Sequence, residues 1–240
     1  MAGRLVPAAG RLKPPPERLY GRSRSRPPST RQGQLIAEVL PRLRFAQADC
    51  ADPRAAFGTR VAEVWLEVGF GAGEHALAIV RARPEIGLIA SEVFANGIAS
   101  LLSALVPHGG AGKAALPGNL RLWDDDARAL IRMLPSRSIG RLFLMFPDPW
   151  PKQRHVRRRF VHPLFIPEVA RILAPGSEWR IASDDPVHQA WLGEVLAGQD
   201  LFAVAPPFCV RPAEWPPTRY EAKALTGGRR VLYWRLVRRG

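Results

Sequence analysis

The residues best suited to chemistry lie in one run, Phe146-Pro147-Asp148-Pro149-Trp150-Pro151-Lys152, continued by Gln153, Arg154, His155, Val156, Arg157, Arg158 and Arg159. Alternating prolines fix φ, so Asp148 is presented with little conformational entropy left to lose. Five Lys/Arg and one histidine then follow within eight residues. Such a run is ordinarily a solvated face. Beside a rigid acidic turn and an indole it reads instead as a phosphate clamp next to a pocket for a base. A second constellation, Glu67-Val68-Gly69-Phe70-Gly71-Ala72-Gly73, allows a tight turn that a nucleotide-like ligand can approach closely. The dinucleotide fingerprint wants its third glycine at 74, where this chain has Glu74, and a carboxylate there repels a pyrophosphate. Glu92, 19 residues past Gly73, can accept both hydroxyls of a ribose. Of Asp124, Asp125 and Asp126, one suffices to meet an adenine amine, leaving two to cap the next helix.

These groups need a scaffold, and the periodicities supply one. VAEVWLEVG (61–69), GLIASE (87–92), NLRLW (119–123), RLFLMF (141–146) and SEWRIASD (177–184) are short apolar runs of the kind that form buried strands. RRVLYWRLV (229–237) has the alternation of a late strand. Ile98, Leu101, Leu102 and Leu105 share one helical face, and Val187, Trp191 and Val195 another; both are core stripes. Strands alternating with helices predict a doubly wound, Rossmann-like α/β sheet, mostly parallel, with the late strand antiparallel. Glu67–Gly73 then follows the first strand, Glu92 ends the second, the aspartates follow the third and Asp148 follows the fourth. Ligands of such sheets bind at the carboxyl ends of the strands.

Composition excludes other classes. The 240 residues carry 35 Lys/Arg against 21 Asp/Glu, a net charge of +14, and are 47% hydrophobic, enough for a core. No stretch has the apolar length of a membrane span, and no secretory signal is visible. Two cysteines, Cys50 and Cys209, suit neither a disulfide scaffold nor a four-cysteine zinc site. A cytoplasmic protein is expected, with no metal and no obligate protein partner. Residues 1–44 hold a net charge of +8 and seven prolines. Residues 1–30 read as an extended basic arm, either an RNA-facing tail, a plain solvated one or an import presequence, and 31–240 as a single domain. Leu35, Ile36, Val39 and Leu40 repeat at helical spacing, so 31–44 is expected to dock on that domain as a short helix. HGGAG (108–112) reads as a loop.

The acid–glycine turn with a strand-two acid resembles the S-adenosylmethionine site of Rossmann-like methyltransferases. FPDPWPKQRHVRRR resembles the signature of the bacterial tRNA (guanine-N7)-methyltransferase family, and the similarity runs from about residue 20 to the end. EVGFGAGEH is similar to that family's cofactor turn, SEVFANGIASLL to its second acid segment, and Asp126-Ala127 to its Asp-Ala pair. IASDDP resembles a Thr-Asp segment with Ser183 in the threonine slot. Thr218-Arg219-Tyr220-Glu221 and Lys223 resemble the C-terminal substrate motif.

The resemblance implies methyl transfer from S-adenosylmethionine to N7 of guanine 46 in the tRNA variable loop. It assigns the cofactor to Glu67, Gly69, Gly71, Gly73, Glu92, Asp126 and Asp148. Substrate falls to Lys152, Asp184, Thr218, Arg219, Tyr220 and Glu221, with Asp185 as the other aspartate that could serve. RNA falls to Arg154, His155, Val156, Arg157, Arg158 and Arg159, and catalysis to Asp148. Guanine N7 has a free lone pair, so a carboxylate is needed to stabilise the developing purine cation, not to remove a proton. The rivals are a nicotinamide oxidoreductase, against which Glu74 stands, a non-catalytic RNA-binding module, and a methyltransferase for another nucleic-acid base.

Overall fold

The computed structural model describes residues 27–107 and 115–240. Most of the basic arm and all of HGGAG lie outside the described residues. Seven strands, β1 (Glu63–Val68), β2 (Ile86–Ser91), β3 (Leu120–Trp123), β4 (Ile139–Met145), β5 (Leu173–Ser183), β6 (Phe202–Val204) and β7 (Leu232–Arg238), form one sheet in the order 3-2-1-4-5-7-6. β1 pairs in parallel with β2 and β4, β2 with β3, and β4 with β5. β7 runs antiparallel to both β5 and β6. Strand order reverses between β1 and β4, which leaves a crevice at their carboxyl ends.

The helices are α1 (Thr30–Glu38), α2 (Leu40–Leu43), α3 (Glu74–Ala82), α4 (Ala95–Leu105), α5 (Ala127–Met133), α6 (Ile166–Ile172), α7 (Pro186–Ala197) and α8 (Arg219–Thr226). Side chains alternate across a strand, so each sheet face builds its own core. Val64, Leu66, Leu142 and Ile181 pack with α5, α6 and α7; Trp65, Leu88, Phe143 and Ala182 pack with α1–α4 and α8. Burial on both faces is why these strands read as continuous apolar runs. Among the described residues no helix is long and apolar enough to cross a membrane.

The N-terminal helix docks as its spacing predicts. Ser29 and Gln32 form a capping box, and Leu35, Val39, Leu40 and Leu43 are buried, with α1 packed on α4. Phe45 N–H then donates to the Leu122 carbonyl at 2.8 Å, tying the segment to the sheet.

Three details differ from the expectations above. Val187 is 36% exposed; the inward stripe of α7 is His188, Trp191, Leu192 and Val195, with a histidine in an apolar slot. His188 is accommodated by Ser183, whose Oγ lies 3.0 Å from its Nδ1. β5 begins at Leu173, through a Gly-containing bulge region that masks the pattern, and β7 begins at Leu232, so Arg229 and Arg230 precede it. β6 has three residues, two of them exposed, and carries no periodicity to detect.

Candidate active site

The carboxyl ends of β1, β2 and β4 open into one cleft of about 240 Å³. Its floor is the glycine turn after β1, where Gly69, Gly71 and Gly73 sit at φ of 72°, 60° and 87°, a region that side chains strain to enter. Glu92, at the end of β2, holds that turn. Its Oε2 accepts Gly71 N–H at 2.8 Å, and its Oε1 accepts the N–H groups of Val93 and Phe94 at 2.8 and 3.0 Å. Gly97 on α4 completes the packing, since a Cβ there would stand 2.4 Å from the Gly71 carbonyl oxygen. Burial pushes the Glu92 carboxyl up from its ordinary range, the three backbone bonds pull it back, and nearby Asp148 adds to the rise. Among the described residues no cation pairs with Glu92. A buried carboxylate with acceptor capacity left on Oε2, over a glycine turn, fits the hydroxyl groups of a ribose.

The other expected cofactor residues divide. Gly69, Gly71, Asp126 and Asp148 line the cleft. Gly73 lies beneath it, at the start of α3. Glu67 does not reach the cleft: its side chain is buried under α3, with Oε2 3.1 Å from His75 Nδ1 but off the axis of a hydrogen bond. Its neighbour Val68 is the one of the pair that lines the cleft. Among the three aspartates the capping roles are also redistributed. Asp126 itself caps α5 by accepting Arg128 N–H at 2.9 Å, while Asp125 accepts Asp126 N–H and Asp124 pairs with Arg44 at 2.6 Å.

Asp148 stands on the loop after β4. Phe146 N–H donates to the Ala182 carbonyl at 2.9 Å, and the loop is bounded by two aromatic residues at positive φ, Phe146 (54°) and Trp150 (43°). Asp148 is exposed and, among the described residues, has neither a hydrogen bond nor an ion pair. The other acids are engaged. Asp184 Oδ2 accepts Arg229 Nε at 2.8 Å; Glu221 Oε1 accepts Arg211 Nε at 2.9 Å and Tyr233 Oη at 2.7 Å; Glu74 lies 3.4 Å from Arg219. Tyr233 is pushed up by burial and by that bond to Glu221.

The basic run is not uniform. Gln153–Arg158 form a 3₁₀ helix with Lys152 and Arg154 exposed, His155 edge-on to Trp150, and Arg157 half-buried. Arg158 lies 4.9 Å over the Trp150 ring, and both line the cleft. Two members do not fit the expected RNA-facing role. Val156 is buried in the core, and Arg159, 1% exposed, donates from Nε and Nη2 to the carbonyls of Pro149 and Trp150, each at 3.1 Å. Neither can face RNA. Of the C-terminal motif, Tyr220 lines the cleft and stacks on Phe146 with centroids 6.4 Å apart. Thr218 caps α8 by accepting Glu221 N–H at 3.1 Å, and Glu221 is buried. Asp185 caps α7 by accepting His188 N–H at 2.8 Å, whereas Asp184, equally half-buried, is held by Arg229 and caps no helix.

Sequence reasoning missed Arg128, Phe146 and Phe160 as cleft residues, whereas the Trp150 indole, read as the wall of a base pocket, does line the cleft. Arg128 had a visible signal: it is a charge within the buried positions of α5, beside Ala127, Leu130 and Ile131.

A seven-stranded sheet of this order, with a glycine turn, a strand-two acid and an acidic loop after β4 around one cleft, defines a Rossmann-like methyltransferase. Solved structures of similar fold include the 16S rRNA methyltransferase KamB (TM-score 0.57, 18% identity, 82% of this chain and 95% of that one). Another is the 16S rRNA (adenine(1408)-N(1))-methyltransferase from Catenulisporales acidiphilia (TM-score 0.53, 15% identity, 82% and 94%). Residues 61–233 match the family model described as "Putative methyltransferase". A tRNA (guanine-N(7)-)-methyltransferase of Granulibacter bethesdensis is 54% identical over 95% of this chain and 98% of its own length. That of Rhodospirillum rubrum is 41% identical over 90% and 86%. The chain belongs to the tRNA (guanine-N7)-methyltransferase family.

Proposed function

We propose that this enzyme methylates N7 of guanine 46 in the tRNA variable loop, with S-adenosylmethionine as donor, in the cytoplasm and without a metal or an obligate protein partner. The observation that carries the reading is Asp148: among the described residues, the one acid at the cleft that neither an arginine nor a backbone N–H engages, on a loop of fixed shape. Glu92 would take the ribose hydroxyls, the Gly69–Gly71 backbone the body of the cofactor, and Asp126 the adenine edge. Bound S-adenosylmethionine supplies an electrophilic methyl group on a sulfonium.

The purine gains positive charge as N7 takes the methyl group, so the Asp148 carboxylate stabilises the transition state more than the ground state. Asp184 and Glu221 carry acceptor capacity for the guanine N–H donors, and their arginine partners hold them in place meanwhile. Tyr220 stacked on Phe146, with Trp150 also lining the cleft, offers planar surface to a purine. Lys152, Arg154 and Arg157 stand outside the cleft where flanking phosphates would pass. Asp148→Asn preserves the loop shape and removes the charge. The expected result is a single-turnover methylation rate lower by about 100-fold, within the range for losing one preorganised stabilising group, with cofactor and tRNA affinity little changed. Nuclease mapping of the product should place 7-methylguanosine at one variable-loop position. A normal Asp148→Asn rate, or methylation elsewhere, defeats the reading.

A further inference from the structure

Two buried arginines stand between the cofactor side of the cleft and the loop that carries Asp148. Arg159 lies with its guanidinium 4.8 Å from the centre of the Trp191 ring, and Trp191 is fixed in turn by its indole N–H, which donates to the Val161 carbonyl at 2.7 Å. From that platform Arg159 reaches back across ten residues of chain to the Pro149 and Trp150 carbonyls. Arg128, 7% exposed, donates from Nη2 to the carbonyls of Arg158 and Arg159 at 2.9 and 3.2 Å. Its guanidinium lies 5.7 and 5.9 Å from the Phe160 and Phe165 rings, and its Nη1 is 3.9 Å from Asp126 Oδ2. The result is a continuous path of polar contacts: Asp126, Arg128, the backbone of Arg158–Arg159, the Arg159 guanidinium, then the backbone flanking Asp148.

A buried cation is unfavourable unless its donors are used, and here the hydrogen bonds of both guanidinium groups go to backbone carbonyls, with Asp126 beside Arg128 as a longer ion-pair partner. The Pro149 and Trp150 carbonyls that Arg159 holds belong to a loop in which Phe146 and Trp150 both hold positive φ, a conformation that the backbone does not keep unless its surroundings impose it. A planar guanidinium fork fixes two carbonyls in direction at once; an ammonium cannot. We propose that Arg159 is a positioning residue for methyl transfer, holding the loop so that the Asp148 carboxylate stays directed at the cleft, and that Arg128 ties this loop to the wall that carries Asp126. The proposal rests on the reading of Asp148 given above.

The test is a double-mutant cycle on the full chain, with Arg159→Lys, Arg128→Lys and Asp148→Asn made singly and in pairs. Thermal melts, calorimetric S-adenosylmethionine affinity and single-turnover methylation are measured for each. Arg159→Lys should bind cofactor within about twofold of wild type yet methylate on the order of 100-fold more slowly, the scale of a misplaced reacting group. In the Asp148→Asn background the same change should add less than about threefold, because residues acting as one unit are strongly non-additive. Arg128→Lys should show the same pattern at smaller amplitude, and it decides the matter if Arg159→Lys does not fold. A normal rate for the lysine variants, or rate losses that multiply with Asp148→Asn, overturns the proposal. So does loss of cofactor binding in both variants, which would make the arginines supports of the whole pocket. An Asp148→Asn enzyme of normal rate instead defeats the catalytic reading of Asp148, which separates the two failures.

Discussion

Replacing Glu92 with Gln separates two tasks that one side chain performs. The carboxylate accepts three backbone N–H groups and keeps acceptor capacity for a ribose. A glutamine has one carbonyl oxygen, so with that oxygen on Val93 and Phe94 its amide N–H₂ faces the N–H of Gly71. One buried donor is then left unmatched, at about 1–3 kcal/mol, and the glycine turn loosens. Loss of charge-assisted bonds to the ribose weakens cofactor binding by a further 1.5–3 kcal/mol or so, a Kd higher by about 10- to 150-fold. The pH dependence gives a sharper signature. Burial raises the folded-state pKa of Glu92 above 4.5, so between the two values the folded state holds the extra proton. The contribution of Glu92 to stability therefore declines as pH rises through that window. Cofactor affinity runs the other way: ribose donors favour the carboxylate, so binding tightens with rising pH and releases a proton inside the window. Calorimetry in two buffers of different ionisation enthalpy measures that proton. Wild-type affinity flat across the window, or a Gln variant with unchanged Kd, would refute the reasoning.

Other parts of the molecule are open to equally direct tests. Burial, with Arg159 adding to it, pushes His188 down from 6.5 to about 4, so folding stability should fall as pH drops from about 6.5 towards 4, by up to roughly 3 kcal/mol from this group. Urea melts across that range should show a proton-uptake slope that His188→Gln reduces, and a slope indifferent to the substitution would contradict the buried neutral imidazole. Arg154→Ala with Arg157→Ala should leave the melt unchanged and shrink the salt slope of log K for tRNA by about 0.7–0.9 for each phosphate left without its arginine; an unchanged slope removes them from the interface. Leu40→Ala should lower stability by about 2–5 kcal/mol, since the side chain is 3% exposed between α1 and the sheet, and a neutral melt would mean that the N-terminal helix does not support the domain.

The strand segments, the class of sheet and the position of the cleft were readable in advance because they follow from periodicity: apolar runs of strand length, stripes of helical spacing, and a glycine turn at the first strand end; the spatial order of the strands came from the structure. Residue types gave Glu92 and Asp148 for the same reason, each being an acid at a strand terminus, and narrowed the third to Asp124–Asp126, among which the family resemblance picked Asp126. What spacing does not encode is which way a charged side chain turns. Glu67 and Val68 are adjacent in the motif, yet one lies under α3 and the other lines the cleft, and the motif reads alike in either case. Arg157, Arg158 and Arg159 are one run in sequence but differ in surroundings, the last being sealed against Trp191. His188 hid the stripe of α7 because its partner, Ser183, lies on another element. In each case the deciding neighbour is distant in sequence or set by the phase of a turn.

The three-residue strand β6 has a further consequence for the life of the molecule in a crowded solution. A seven-stranded sheet ends in two rows of backbone donors and acceptors, and an open row invites another chain to add to it. On one side the row belongs to β3, and Arg44–Phe45 lie along it, bridging to Leu122. On the other side β6 offers a length too short to template a partner, Pro206 and Pro207 follow at once without N–H groups to give, and Phe208 rejoins the sheet opposite Tyr233. One margin of the sheet is partly covered by the chain itself and the other is kept short, so lengthening β6, or replacing the proline pair with β-branched residues, should give the sheet an edge long enough to recruit copies.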